Sequence, residues 1–348
     1  MNKIMYDFTN LKSDLLHWFE KYPFYFPWGA RYLKKTQPRF EMFGNLYVSK
    51  MISKYKKCCK KGILDEEAFF TTGLACIYGK GTKTNNNDAF HILMTLFDNT
   101  SNPEPGFIVL MIILMIIFSN EGNEDFQEML QAYTEYFKEN IFAPADFVLG
   151  AYYSMGNSKE VGYEFLERAM DGEFAPAYAY CALFIDNEEL KQRGIKGVDA
   201  SLNVEERFSL FAKGNILLEQ AIKNNDDNLG KKAGSYIKKA GYLGDIFALG
   251  SLALFYMDEK FVSYINETVD YDTAYIYACK AEKLNLAYVY FYQARLHLEN
   301  LITNANKEHG EFFLGKALFY EDSDALKYAK ERNYDPQKLI DNYVELVS

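Results

Sequence analysis

An all-α fold of stacked helical hairpins is what this sequence predicts, and three observations carry the prediction. Alanine-led segments recur at a near-constant spacing. Large apolar residues within and after them follow a helical period. Only 8 of the 348 residues are proline, a residue that costs about 3 kcal/mol inside a helix. The segments are AFFTTG from Ala68, ADFVLG from Ala145, AYAYCA from Ala177, ALGSLA from Ala248 and AYVYFY from Ala287. Their spacings of 77, 32, 71 and 39 residues are one or two periods of a unit near 36. Missing members of the series fall near Phe107 and near residue 210. A second small-residue signature follows the first, at Asp88-Ala89, Gly162, Lys232-Ala233 and Thr273-Ala274. Each opens one apolar stripe at helical spacing. A lone hairpin cannot bury such stripes, so about seven units must stack.

Residues 1–62 lie outside the period and read as an N-terminal helical cap. Ile4, Phe8, Leu11, Leu15, Trp18 and Phe19 share one face of its first helix, while Asp7 and Asp14 break the apolar core that an export signal needs. Residues 63–320 carry the repeats. The apolar run Phe107–Phe118 spans about 18 Å as a helix against roughly 30 Å of bilayer core. Pro103 and Pro105 precede it and Asn120 and Glu121 follow, so it is a buried helix and no transmembrane segment is expected. Asn187 to Val204 reads as an insertion in the fourth unit. Residues 321–348 close the stack as capping helices, with Asp335-Pro336 supplying a turn and a helix start.

AFFTTGLACIYGKGTKTNNNDAF places Ala68, Gly73, Gly79, Gly81 and Ala89 in a register that resembles the Sel-one-like repeats, relatives of the tetratricopeptide repeats. Gly150 and Gly156 reproduce the first-helix spacing, and Lys239-Ala240 with Gly244-Asp245 reproduce the exit of the second helix. The resemblance covers about residues 66–320. The unit from Phe107 to Asn140 lacks the glycines, and the last units have longer acidic or Asn-rich turns. The resemblance implies a right-handed αα superhelix and a non-catalytic scaffold or adaptor that binds a protein in a concave groove of first helices. By tetratricopeptide geometry, the groove positions are Phe70, Leu74 and Ile77; Phe147, Ala151 and Ser154; and Ala179, Leu183 and Asp186. Some cysteine-rich relatives are described as β-lactamases, but their cysteine pair per repeat is missing here, so a hydrolase ranks last.

Catalytic patterns have bland counterparts in this chain. Gly310–Lys316, GEFFLGK, has the letters of a phosphate-binding loop, but Ala317 stands where the magnesium-binding hydroxyl belongs. Its inner residues read as a helix face. Gly79-Lys80-Gly81 reads as a hairpin turn needing positive φ. The histidines, His17, His91, His297 and His309, show no ligand spacing, and His91 and His297 read as packing or rim residues. Cys58, Cys59, Cys76, Cys181 and Cys279 are odd in number and contain no CxxC, which indicates neither a disulfide framework nor a zinc site. Cys76, Cys181 and Cys279 read as packing residues. The acidic pairs Glu66-Glu67, Glu188-Glu189, Glu205-Glu206 and Asp322 with Asp324 read as solvated faces or helix N-termini. No catalytic residue, cofactor or metal is expected, and the setting inferred is cytoplasmic.

Charge is divided unevenly. Arg31–Lys61 holds ten basic residues against Glu41 alone, a net +9 that leaves −19 on the rest of a chain at −10. Lys50, Lys54, Lys57 and Lys61 fall on one face of a helix whose other face carries Phe43, Tyr47, Met51 and Tyr55. That face reads as a solvated cap helix. The sharper alternatives are peripheral contact with an anionic lipid surface or polyanion, or with the acidic body of another copy. The acidic body argues against nucleic acid and for a basic protein partner. An immunity or inhibitor protein that neutralises a basic toxin or enzyme is the alternative function. Phe and Tyr number 28 each, an excess that fills the repeat cores.

Overall fold

The computed structural model describes residues 11–36, 41–118, 124–156, 158–282 and 286–347, and among them every regular element is helical apart from turns. The chain divides after Phe174 into two compact units. The N-terminal unit begins with α1 (Leu11–Lys21), α2 (Pro27–Thr36) and α3 (Glu41–Lys61), followed by three hairpins. These are α4 (Glu66–Tyr78) with α5 (Asn86–Phe97), α6 (Pro103–Phe118) with α7 (Glu124–Glu139), and α8 (Ala143–Met155) with α9 (Lys159–Asp171).

The C-terminal unit contains four more hairpins. They are α10 (Ala175–Phe184) with α11 (Glu188–Ser201), α12 (Arg207–Asn224) with α13 (Asp227–Tyr242), α14 (Ile246–Met257) with the short α15 (Glu259–Tyr264) and α16 (Tyr271–Ala281), and α17 (Ala287–Leu298) with α18 (Lys307–Phe319). α19 (Ser323–Glu331) and α20 (Pro336–Val347) close it. First helices therefore start at 66, 103, 143, 175, 207, 246 and 287. The two members missing from the alanine series are α6 and α12.

Sequence chemistry sets the ends of these helices. Asp65, Asn85, Asn187, Asp226, Asp245, Asn306 and Asp322 each precede a helix and accept a backbone N–H from its first turn, a cap worth about 1 kcal/mol. Pro27, Pro103 and Pro336 are first helical residues, where a missing N–H costs nothing. Gly79 ends α4 at φ 67° and Gly81 follows at φ 69°, the left-handed turn expected of that segment. GEFFLGK lies wholly within α18. The acidic pairs sit where the macrodipole favours them, Glu66 and Glu67 in the first turn of α4 and Glu188 and Glu189 in that of α11.

The two helices of a hairpin meet where both lack side chains. A Cβ on Gly162 of α9 would lie 2.4 Å from the backbone nitrogen of Ser154 and 2.9 Å from the carbonyl oxygen of Gly150, both on α8. The segment expected as an insertion at 187–204 forms α11 instead, the second helix of an ordinary hairpin, followed by a 3₁₀ turn at Leu202–Val204. Gly194 explains it: a Cβ there would lie 2.6 Å from the nitrogen of Ala182 on α10. From Phe107 to Leu114, α6 is fully buried, as its unbroken apolar text requires. No helix among the described residues is long and apolar enough to cross a membrane. Cys76 and Cys181 are buried, whereas Cys279 is exposed, its sulfur accepting from Gln293 Nε2 at 3.5 Å.

Gly162→Ala is expected to destabilise the protein by about 3 kcal/mol, the upper range of overpacking, because backbone atoms cannot yield. Gly156→Ala, whose Cβ would meet only the Tyr153 oxygen at 3.8 Å, should stay within about 0.5 kcal/mol. Urea titrations of both variants measure the difference.

Candidate partner-binding surfaces

Two tryptophans decide what happens to the expected groove. Trp18 of α1 packs on Phe107 of α6, on Phe147 of α8 and on Phe174, with ring centroids 5.5–6.1 Å apart. Phe26 packs on Phe107 and Phe142, and Trp28 of α2 stands edge-on to Phe70 of α4 at 5.4 Å. Tyr25 donates its hydroxyl to the carbonyl of Gly172. In the N-terminal unit, α1 and α2 thus lie against the first helices.

Among the expected groove positions, Phe70, Leu74, Ile77, Phe147, Ala151, Ser154 and Ala179 are all buried. For the N-terminal six, the chain's own aromatic segment and the hairpin partners cover the faces that the resemblance left open. Leu183 is half-buried and Asp186 exposed. Ile4 and Phe8 lie outside the described residues.

Two carboxylates without solvent exposure hold this arrangement. Glu104, in the first turn of α6, accepts the backbone N–H groups of Trp28 and Gly29, each at 2.9 Å. It caps the start of α2 from another helix. Burial pushes its pKa up to about 7, against the lowering by those amides. Asp146 of α8 faces Arg168 of α9, Oδ1 to Nη2 at 2.9 Å, and burial pushes its pKa up to about 7 as well. Arg168 also donates to the carbonyls of Phe137 and Lys138 at the end of α7, so one guanidinium joins three helices. The sequence marks both acids weakly, Glu104 between two prolines and Asp146 as the lone charge in APADFVLG.

On α3, Lys50, Lys54, Lys57 and Lys61 are exposed on one side. Lys54 pairs with Asp65 at 2.6 Å. The opposite side is already covered: Val48 and Met51 are buried and Tyr55 stands on Phe69 at 4.8 Å. The side chain of Phe43 lies outside the described residues. Second helices α7 and α9 present the contrasting charge, with Asp125, Glu128, Glu135, Glu139, Glu160, Glu164 and Glu167 exposed.

Histidines do not converge on a metal, and among the described residues no group of three His, Cys, Asp or Glu could hold one. His297 is buried on α17, and its Nδ1 accepts the Asn306 N–H at 3.1 Å, which puts the neutral ring's proton on Nε2. Its ring stands against Tyr275, His309 and Phe313. Burial and His309 hold its pKa below the usual value. His91 is exposed.

Two solved structures are similar to this chain, and both are Sel1-repeat (SLR) proteins, the family its sequence resembles. A protective antigen present in uropathogenic Escherichia coli strains, displaying an SLR fold, is 14% identical, with a TM-score of 0.42 over 85% of this chain and 72% of that one. A Sel1 repeat protein from Oxalobacter formigenes is 11% identical, with a TM-score of 0.43 over 88% of this chain and 91% of that one. No family model and no curated protein matches the chain.

The pH dependence of stability tests the role of Glu104. Unfolded, its carboxyl releases a proton near the ordinary value of about 4.3. Folded, it holds that proton up to about 7. Between these values the folded state binds more protons, so stability falls as pH rises, by at most about 1.4 kcal/mol per pH unit for this group. Thermal melts between pH 4.5 and 7.5 should therefore show a steeper decline for the natural protein than for Glu104→Gln.

Proposed function

We propose that this chain is a non-catalytic repeat scaffold that binds another protein, and that the partner's contact surface is basic. The observation that carries this reading is the outer face of α7 and α9. Apart from the buried Asp146, residues 124–173 hold ten carboxylates against three basic residues, Lys138, Lys159 and Arg168. Arg168 is turned inward to Asp146 and two carbonyls. Such a face speeds encounter with cationic proteins and repels nucleic acid. Beneath it the α8–α9 hairpin closes on backbone contacts at Gly150 and Gly162, which fixes the spacing of the α9 acids. Buried polar groups support the same reading, because Glu104, Asp146 and Arg168 are occupied in joining helices.

The exposed acids of the second helices replace most of the first-helix groove as the partner-facing surface. Leu183 and Asp186, which belong to the C-terminal unit, keep their place as candidates. Inhibition of a basic toxin or enzyme is the form this binding takes when the partner's own active surface is the part covered. The setting that favours such a partner is the cytoplasm, where the reduced thiols of this chain would persist.

Purification of the protein with its native partners tests the proposal. A basic protein in stoichiometric amount is expected, with binding weakened by rising salt. Glu128→Lys, Glu164→Lys and Glu167→Lys together should lower its affinity by about 30-fold or more. Loss of the partner's activity on binding identifies inhibition, and retained activity identifies a scaffold. Unchanged affinity in the triple variant overturns the reading, as does substrate turnover by the purified protein that one substitution abolishes.

A further inference from the structure

The C-terminal helices leave a second acidic surface, of a different kind. Between α18 and α20 runs a groove of about 570 Å³. Its lining includes Glu308, Glu311 and Glu345 and no lysine or arginine. Its floor is apolar: Phe312 and Tyr343 meet with ring centroids 5.4 Å apart, and Leu346 stands 73% exposed at the rim. Lys307 reaches Glu311 at 3.5 Å from outside the lining. A groove of this build suits a helix that offers one apolar side chain and several cations.

Helix α3 of the same sequence has that build. Leu46 is 58% exposed, an apolar side chain on an otherwise polar outer face. Lys50 follows one turn later and Lys57 two further turns on, so the three reach across about 16 Å. No acid interrupts α3 after Glu41. A bilayer surface suits this helix less well, because an interfacial helix needs a free apolar face. The apolar side of α3 is already packed through Val48, Met51 and Tyr55.

We propose that α3 of one copy docks in the α18–α20 groove of a second copy. Leu46 enters between Phe312 and Leu346, and Lys50 and Lys57 meet Glu308, Glu311 and Glu345. The contact joins two different surfaces, so it is heterologous and each copy keeps one donor helix and one groove. It does not depend on the acidic face of α7 and α9.

Sedimentation velocity on the full chain tests this, from about 1 to 100 µM, at about 30 mM and 500 mM salt, since screening separates charge-driven contacts. The expected result is a mass that rises with concentration at low salt and returns to one chain at high salt. Lys50→Glu with Lys57→Glu, and Glu308→Lys with Glu311→Lys, should each weaken association by about 100-fold or more. Mixing the two variants restores complementary pairs and should restore association. All four positions are on the surface, and unchanged circular dichroism and melting verify folding. A single chain at every concentration in low salt overturns the proposal. So does association that survives in either variant, or a mixture that stays dissociated. Flotation of a single-chain protein with anionic phosphatidylserine vesicles, abolished by the α3 substitutions, gives that face to a membrane and likewise overturns it.

Discussion

Two helices can lie backbone against backbone only where neither carries a side chain at the crossing, and this constraint shapes the α8–α9 and α10–α11 hairpins. At Gly150 and Gly162 a single methyl group has no room. Leu166, one turn from Gly162, fills the space beside Gly150 that a second side chain would need. The 32- to 41-residue intervals between first helices follow from two helices and two turns per unit. Turn chemistry varies widely between units, from Gly79 and Gly81 to the longer path through α15, without disturbing the crossings.

What was legible in the sequence is what this constraint writes locally. Small residues at fixed offsets predicted the hairpins, and α6 and α12 appear where the alanine series has gaps. Asp335-Pro336 marked the start of α20, and the apolar run at 107–118 marked a buried helix. The misreading of 187–204 has a physical cause: KQRGIKGVDA is polar on its outward side, and its two glycines resemble a turn until Gly194 is seen against Ala182. The burial of the groove positions has another origin. Local spacing places Phe70 and Phe147 on a first-helix face, but what covers that face is Trp28 and Trp18, some 40 and 130 residues earlier in the chain. No local pattern contains such a contact. Glu104 is legible only as an acid at a helix start, and its partner amides belong to α2.

Charge in this protein is sorted by depth as well as by sign. Surface acids dominate α7 and α9 and lysines dominate α3, where water and salt screen them. The inner carboxylates serve structure, one capping a helix that is not its own and one paired with a guanidinium shared among three helices. Replacing either partner of such a buried pair alone leaves an uncompensated polar group, which costs more than the pair itself contributes. For stability alone, the outer faces tolerate change while the inner acids stay tied to their amides and arginine.

Tyr25 and Gly172 are 147 positions apart, and Glu104 reaches back 75 positions to Gly29. Hairpins, by contrast, close between neighbours. The N-terminal unit therefore combines quick local pairing with one slow, high-contact-order step, the docking of α1 and α2. α1 and α2 precede their seats in the chain, Trp28 waiting for Phe70 of the first hairpin and Trp18 for Phe147 of the third. Trp18, Phe26 and Trp28 are exposed for that interval, together with the apolar faces they will cover. That interval is when the α1–α2 segment and its seats present apolar surface to aggregation.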